Sequence, residues 1–276
     1  MMRSLWTAAS GMRAQQVNVD TIANNVANIN TIGYKSQQAS FKSLLYQNLQ
    51  STSTNNAGEK KPVAAEVGLG SRVAAITSTF TQGNLTHVEN PFSVALEGDG
   101  FFQIRTESGE LQYTRDGSFE ISPVANGNML CTSDGNPVLD AYGNQIILPS
   151  NRVATDLVVN QDGTLAFPDG TGNPAVITDA NGRPVKFGIY QFNNPAGLSK
   201  EGSNNYSVTV ASGAAVAENG NAAVKQTKTH QYYTEASNVD VANEMVNLIV
   251  AQRAYEMNSK AIQASDEMMQ QANALR

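Results

Sequence analysis

Two histidines, one cysteine and a scatter of carboxylates are the residues here with chemistry suited to metal binding or catalysis. A transition-metal site needs imidazole, thiolate or carboxylate donors grouped at ligand spacing. His87 and His230 stand far apart in sequence, with no cysteine or carboxylate placed that way beside them. Cys131 is the sole cysteine, which excludes an intrachain disulfide and a cysteine-rich metal site. Cleaving a glycosidic bond takes two facing carboxyl groups. Glu97, Asp99, Glu107, Glu110, Asp116 and Glu120 are the candidates, but most sit in or beside turns, where Asp already has a structural job. There is no Gly-x-Ser-x-Gly elbow. Gly98-Asp99-Gly100 has the composition of a phosphate loop, yet it runs into Phe101-Phe102, a strand and not a helix, so it reads as a tight turn. No catalytic residue, cofactor or metal is expected.

Charged residues make up 15% of the 276 positions and the net charge is −6, without Lys/Arg runs. Such a chain has no electrostatic footprint for nucleic acid or anionic lipid. No stretch approaches the ~18 consecutive apolar residues of a membrane span. The opening Met1 to Thr7 has an early arginine and some apolar residues. Ser10, Gly11, Arg13 and Gln15-Gln16 break that run before it reaches the length of a signal-peptide core. Export is therefore expected only by a route that leaves the N-terminus uncleaved.

Spacing organises the two ends instead. Leu5, Ala8, Met12, Val19, Ile22, Val26 and Ile29 recur in steps of three and four, broken only by Gln15, which is a helix-seam pattern. It predicts a helix over residues 3–29, ending where Asn28-Ile29-Asn30-Thr31-Ile32-Gly33 collects poor helix formers. At 1.5 Å per residue that helix is roughly 40 Å long. Val241, Met245, Leu248, Tyr255, Ile262 and Met269 make a matching seam near the other end, and Ala254, Ala261, Met268 and Leu275 a second stripe. Ser237 to Asp240 reads as the N-cap region, with Asp240 and Glu244 suited to the positive end of a helix dipole.

The polar faces are as informative as the seams. Within residues 1–31 only Arg3, Arg13 and Asp20 are charged. Ser4, Gly11, Asn18 and Asn25 flank the first seam on one side, and Ala9, Gln16, Ala23 and Asn30 on the other. A solvated two-stranded coiled coil carries Glu and Lys there. Small and amide residues suit a helix surrounded by other helices. Arg253 and Glu256 flank Tyr255 and are free to face solvent or to pair across an interface.

Between the ends, Phe41 to Tyr46 reads as a short helical continuation. Gln50 to Glu66, with Ser-Thr-Ser-Thr-Asn-Asn-Ala-Gly and Lys60-Lys61-Pro62, reads as a linker or extended arm. From about residue 73 to 233, Asp116-Gly117, Asp134-Gly135, Asp162-Gly163, Asp169-Gly170 and Asn181-Gly182 punctuate short apolar runs, a hairpin signature. The expected class is α+β: paired long N- and C-terminal helices, coiled-coil-like, plus a turn-rich antiparallel all-β middle domain. The expected segments are 1–36, first helix of an inner core; 37–72, a connecting arm; 73–235, a β-rich outer domain; and 236–276, the helix completing the core.

Ala23 to Lys35 resembles the rod and hook family of bacterial flagellar axial proteins, through Asn24, Asn25, Asn28, Gly33 and Tyr34. Glu235 to Val241 and Gln252 to Lys260, with Gln252, Arg253 and Asn258, are similar to that family's C-terminal box. Gln82 to Leu85, Gly98 to Phe102 and Tyr113 to Phe119 are similar to its β domain. Ser4-Leu5-Trp6 with Ala14-Gln15-Gln16 stands nearer its distal-rod members, and the chain length also favours rod over hook. The resemblance covers nearly the whole chain, most thinly between about residues 126 and 200.

It implies a non-enzymatic building block, with terminal helices forming an inner tube and β domains an outer layer. Subunits then stack helically into a hollow drive shaft that carries torque from motor to hook. The implied partners are further copies of the chain, proximal rod and hook subunits, surrounding basal-body ring proteins and the flagellar type III export apparatus. The implied place is the basal body in the cell envelope, with residues 47–70 bridging neighbours. The residues themselves leave open another axial subunit of the same family. They also leave a secreted β-domain binding module oligomerised by its helices, or a glycan-cleaving envelope enzyme.

Overall fold

Helix α1 spans Met2–Ala27 without proline and with a single interior glycine, Gly11. Helix α2 spans Val241–Ala274. Its cap is Asp240, as the N-cap reading expects: Oδ1 accepts from the backbone N–H of Ala242 at 3.0 Å and of Asn243 at 3.5 Å. The computed structural model describes residues 2–50, 65–124, 127–150, 152–168, 174–179, 182–221 and 224–274. Most of the linker composition, Ser51 to Pro62, lies outside the described residues, as do Asp169-Gly170 and Leu275. The chain divides into a helical unit, Met1–Ala27, Gln37–Ser78 and Asp240–Arg276, and a β unit, Asn28–Ser36 and Thr79–Val239.

Within the helical unit the two helices run antiparallel. Ser4 Oγ lies 3.4 Å from Ser265 Oγ, a Cβ built on Gly11 would stand 2.9 Å from Asn258 Nδ2, and Asn25 Nδ2 donates to Glu244 Oε1 at 3.1 Å. These contacts recur every seven or fourteen residues on both helices, and the same register sets the fully buried Ala251 opposite Asn18. The strip that joins the helices is therefore small and polar. Asn25 also clamps the next segment, accepting from Gln37 N and donating to Gln37 O, both at 2.8 Å.

That segment is a strand, which corrects the helical reading of Phe41 to Tyr46. β1 (Gln37–Ser43) and β2 (Tyr46–Gln50) pair antiparallel with β4 (Ser71–Ser78) and β3 (Ala65–Gly68) respectively. Phe41 sits opposite Val73 and Ala39 opposite Ile76, with a register shift between Ser40 and Phe41. Cross-strand partners of this kind stabilise a ribbon that local periodicity cannot reveal. Two strands alone are marginal in water. Here α1 packs against both β1 and β4.

α1 also stops short of its expected end, leaving Ile29 outside the helix. Asn28 accepts from Thr31 through both its backbone oxygen and its side chain, a local turn that competes with another helical turn. Gly33 then takes φ +69°, and a Cβ there would lie 2.8 Å from the Asp116 backbone nitrogen, so no other residue fits.

The β unit is antiparallel, as expected. Strands β5 (Leu85–His87) and β6 (Val94–Glu97) pair with the C-terminal strands Tyr233–Glu235 and Lys228–Gln231. β7 (Phe101–Arg105) and β8 (Leu111–Thr114) are central to a six-stranded sheet. Consecutive strand residues face opposite sides. Phe102 and Ile104 accordingly enter one core with Phe119, Leu130 and Phe187, while Phe101 enters another with Tyr113, Phe192 and Tyr206. Gly135 and Gly163 occupy turns at φ +84° and +80°. Gly117, read as a hairpin turn, is instead a close-packing glycine: a Cβ there would run into the Val94 carbonyl oxygen.

Sequence reading missed a buried ionic cluster. Lys35 Nζ donates to Glu235 Oε1 at 2.6 Å and to Thr81 O at 2.9 Å. Arg115 Nη1 lies 3.4 Å from Glu235 Oε2, and its Nη2 donates to Gly98 O at 2.7 Å. Gly83 N donates to Glu235 Oε1 at 2.8 Å. All three charged side chains are essentially inaccessible. Burial pushes the Lys35 ammonium below the ordinary lysine range, and the Glu235 carboxylate acts against that shift. Removing one member of such a cluster leaves buried charge uncompensated. Glu235→Ala should destabilise the β unit by about 3–5 kcal/mol in denaturant titration, and Glu235→Gln by less, since it keeps an acceptor for Lys35 and Gly83. A loss below about 1 kcal/mol for the alanine variant would mean the cluster is no more than a surface-grade ion pair.

Candidate assembly surface

The apolar seams do not coincide with the contact between the helices. Advancing 100° per residue, Leu5, Met12 and Val19 lie about a quarter turn from Ser4, Gly11 and Asn18 on α1. Val241, Met245, Leu248 and Tyr255 are displaced in the same sense from Glu244 and Ala251 on α2. Because the helices are antiparallel, both displacements fall on one side of the pair. Gln16 and Val19 accordingly join Gln252, Tyr255 and Glu256 in lining a shallow trough of about 390 Å³.

Burial follows this geometry. Ile22 is buried. Leu5, Met12, Val19 and Val26 are half-buried, as are Leu248, Ile262 and Met269, while Val241, Met245 and Tyr255 are exposed. Ile29, beyond the helix, belongs to the β unit. Of the second stripe, Ala254 is half-buried and Ala261 and Met268 are exposed. Sequence reading missed Val246, Ile249, Val250 and Met257, all exposed on α2. Their spacing was visible, since Val246, Val250, Arg253 and Met257 step by four, three and four, but the stripe of stronger periodicity masked it.

Eight large apolar side chains of α2, namely Val241, Met245, Val246, Ile249, Val250, Tyr255, Met257 and Met268, are more than 40% exposed. Full burial of such residues is worth roughly 1.5–3 kcal/mol each, so covering the exposed half supplies on the order of 10 kcal/mol before association costs. Among the described residues no ion pair opposes or fixes this surface: Arg253 and Glu256 are exposed and form none. Val241, Met245 and Tyr255 lie on the trough side of α2 and Val246, Val250, Met257 and Met268 on its far side, so this exposed apolar area marks interaction surfaces on more than one side of the helix.

The signature residues divide between structure and surface. Asn25 and Asn258 serve the helix contact, Asn28 and Gly33 the turn after α1, and Tyr34 is buried in the β unit. Asn24, Gln252 and Arg253 are exposed.

Several of the residues with catalytic chemistry have structural partners. His230 Nε2 lies 2.7 Å from Glu97 Oε2, so the absence of a carboxylate beside the histidines is corrected: β6 and Lys228–Gln231 pair across the sheet and bring them together. A hydrogen bond from His230 holds Glu97 below the usual carboxylate range. His87 packs edge-on to Tyr233, ring centroids 5.4 Å apart. Among the described residues no three His, Cys, Asp or Glu side chains group as metal ligands. Asp116 accepts from Ser118 N and Oγ, closing its own turn, and burial raises its pKa. Among the described residues no helix is long and apolar enough to cross a membrane.

Three family profiles match. "Flagella basal body rod protein" covers residues 5–35, "Flagellar hook protein FlgE/F/G D1 domain" residues 95–167, and "Flagellar basal body rod FlgEFG protein C-terminal" residues 230–275. The chain is 42% identical over 281 residues to the flagellar basal-body rod protein FlgG of Borreliella burgdorferi, covering 100% of this chain and 99% of that protein. It is 38% identical to the FlgG of Caulobacter vibrioides, with 100% of each covered. It is also 33% identical to the flagellar hook-basal body complex protein FlhP of Bacillus subtilis, again over 100% of each.

Tyr255→Asp or Met245→Asp should abolish self-association while matching the helicity of the unmodified protein in dilute solution, because both side chains are exposed before any contact forms. Ile22→Asp should lower helicity as well, since its site is buried. Circular dichroism with sedimentation checks both; unaltered association of Tyr255→Asp would remove this face from the interface.

Proposed function

From the chain's membership of the flagellar basal-body rod protein family, we propose that it is a structural subunit of the distal rod, not an enzyme, assembling helically into a hollow drive shaft. The observation that carries this is the apolar face shared by α1 and α2, which a single copy leaves open to water. Neighbouring copies cover it, and the pair becomes part of a coiled-coil-like inner tube. Head-to-tail contacts that do not close generate the filament.

In this reading the β unit forms the outer layer and faces the ring proteins. The rod's ends meet proximal rod and hook subunits. The ribbon and residues 47–70 bridge neighbouring copies. Export follows the flagellar type III route, consistent with a lone, buried Cys131 that requires no oxidative folding. Similarity to a hook-basal body complex protein supports a second reading, another axial subunit with the same assembly physics.

Electron microscopy of the concentrated purified protein should show straight tubes. Amide exchange should show weak protection of α1 and α2 in dilute solution and strong protection in the tubes. Only monomers or small closed oligomers at every concentration would reject the rod assignment in favour of a binding module.

A further inference from the structure

Charge is sparse on both helices, and four of the exposed charges sit on the sides that α1 and α2 turn away from each other. Gly11 of α1 faces Asn258 of α2. Arg13 and Asp20 follow Gly11 by two and nine residues, which at about 100° per residue turns them roughly 200° and 180° from that contact. Lys260 and Glu267 follow Asn258 by the same two and nine residues, so they take the same positions on the outer face of α2. All four side chains are exposed, and none forms an ion pair or hydrogen bond with any described residue. Each outer edge of the antiparallel pair thus carries a cation and, seven residues on, an acid.

The order of these charges restricts how two such edges can meet. Laid parallel, cation meets cation and acid meets acid. Laid antiparallel, Asp20 stands level with Lys260 whenever Arg13 stands level with Glu267. Residue 11 is then level with residue 269 of the neighbour and not with 258, a shift of eleven residues from the register inside the chain. Eleven residues make close to three helical turns, so the shift brings the same faces back together, and it displaces one copy by roughly 16 Å along the helix axis. Other registers do worse. Without the shift Arg13 meets Glu256 but Asp20 meets Ile249, and setting Asp20 against Arg253 forces Arg13 against Lys260. In the shifted register Arg253 and Glu256 fall level with Ala27 and Asn24, so no like charges oppose one another. Ala9 and Ala27 share the face of Arg13 and Asp20, and small residues there let the helix axes approach.

We propose that the outer face of α2 docks on the outer face of α1 in a neighbouring copy, antiparallel and shifted by three turns, with Asp20–Lys260 and Arg13–Glu267 as its ion pairs. This rests on the self-assembly reading and fixes one register within it. Exposed ion pairs add little affinity, whereas like charges brought together are penalised, so the four charges act chiefly by selecting this register over its neighbours. The two faces are different surfaces, so each copy gives one and receives the other, and the contact propagates without closing.

Charge swapping on the full-length chain tests it. D20K should raise the critical concentration for tube formation about tenfold, and D20K/K260D should bring it back to near the unmodified value. D20K/E267K, which alters the acid of the other pair, should do no better than D20K. Normal assembly of D20K, no recovery in the matched double, or equal recovery in the mismatched one overturns the proposal. Should K260D alone lower helicity, the decision passes to cysteine pairs. Tubes of D20C/K260C should oxidise to multi-copy ladders, because the two positions face away from each other within one chain and Cys131 is buried. D20C/I249C, level only in the unshifted register, should stay monomeric on the same gel. Monomer bands alone from the first variant, or ladders from the second, overturn the proposal. Absence of tubes from the unmodified protein would instead reject the assembly reading itself.

Discussion

The helical unit depends on a narrow contact made by its least apolar residues. Ser4 against Ser265, Gly11 against Asn258 and Asn25 against Glu244 bring two long helices together along a strip of small and amide side chains. Small residues let helix axes approach, and the amide and carboxylate partners satisfy one another where water is thin. The consequence lies to the side. Residues a quarter turn from a close contact cannot be enclosed by two helices, and enclosing them takes a third or fourth. The polar strip thus selects the internal partner, and the apolar strips remain for outside partners.

A comparable economy governs the places where the helices end. Asn25 binds both backbone groups of Gln37, so the last turns of α1 and the first residue of the ribbon are held by one side chain. In the β unit, Lys35 and Glu235, 200 positions apart, meet at 2.6 Å with Arg115 beside them. Two cations and one carboxylate out of water contribute little net stability compared with apolar packing. They do penalise any arrangement in which one of them lacks its partner. The glycines nearby reinforce that selectivity: a side chain on Gly33 would strike the Asp116 backbone and one on Gly83 the Ala236 carbonyl.

Periodicity is a local property, and it made the local features legible. Both helices, the Asp240 cap, the glycine turns of the β unit and the turn feeding β7 are set by residues within a few positions of each other. What stayed hidden depends on distant partners. β1 is a strand because Val73 and Ile76 lie across from it, not because of its own pattern. Hydropathy singled out the greasiest stripe of each helix, Leu5 to Val26 and Val241 to Met269, but the intramolecular contact uses the adjacent strip, whose residues carry no hydropathy signal. The Lys35–Glu235–Arg115 cluster and the His230–Glu97 pair join residues that no spacing rule links.

Sparse charge on the helices also has a physical logic in a protein that meets copies of itself. A charged face repeated on every subunit brings like charges near one another at each contact, whereas an almost uncharged face avoids that cost and leaves a few isolated charges to set register. The same choice makes a solitary copy poorly satisfied, with apolar side chains of α2 in water. Burial that stabilises the helices and burial that drives association are then one free-energy term, so the order of the helical unit follows subunit concentration by mass action. A β unit with its own closed cores, Phe102 with Phe187 in one and Phe101 with Tyr206 in the other, does not share that dependence.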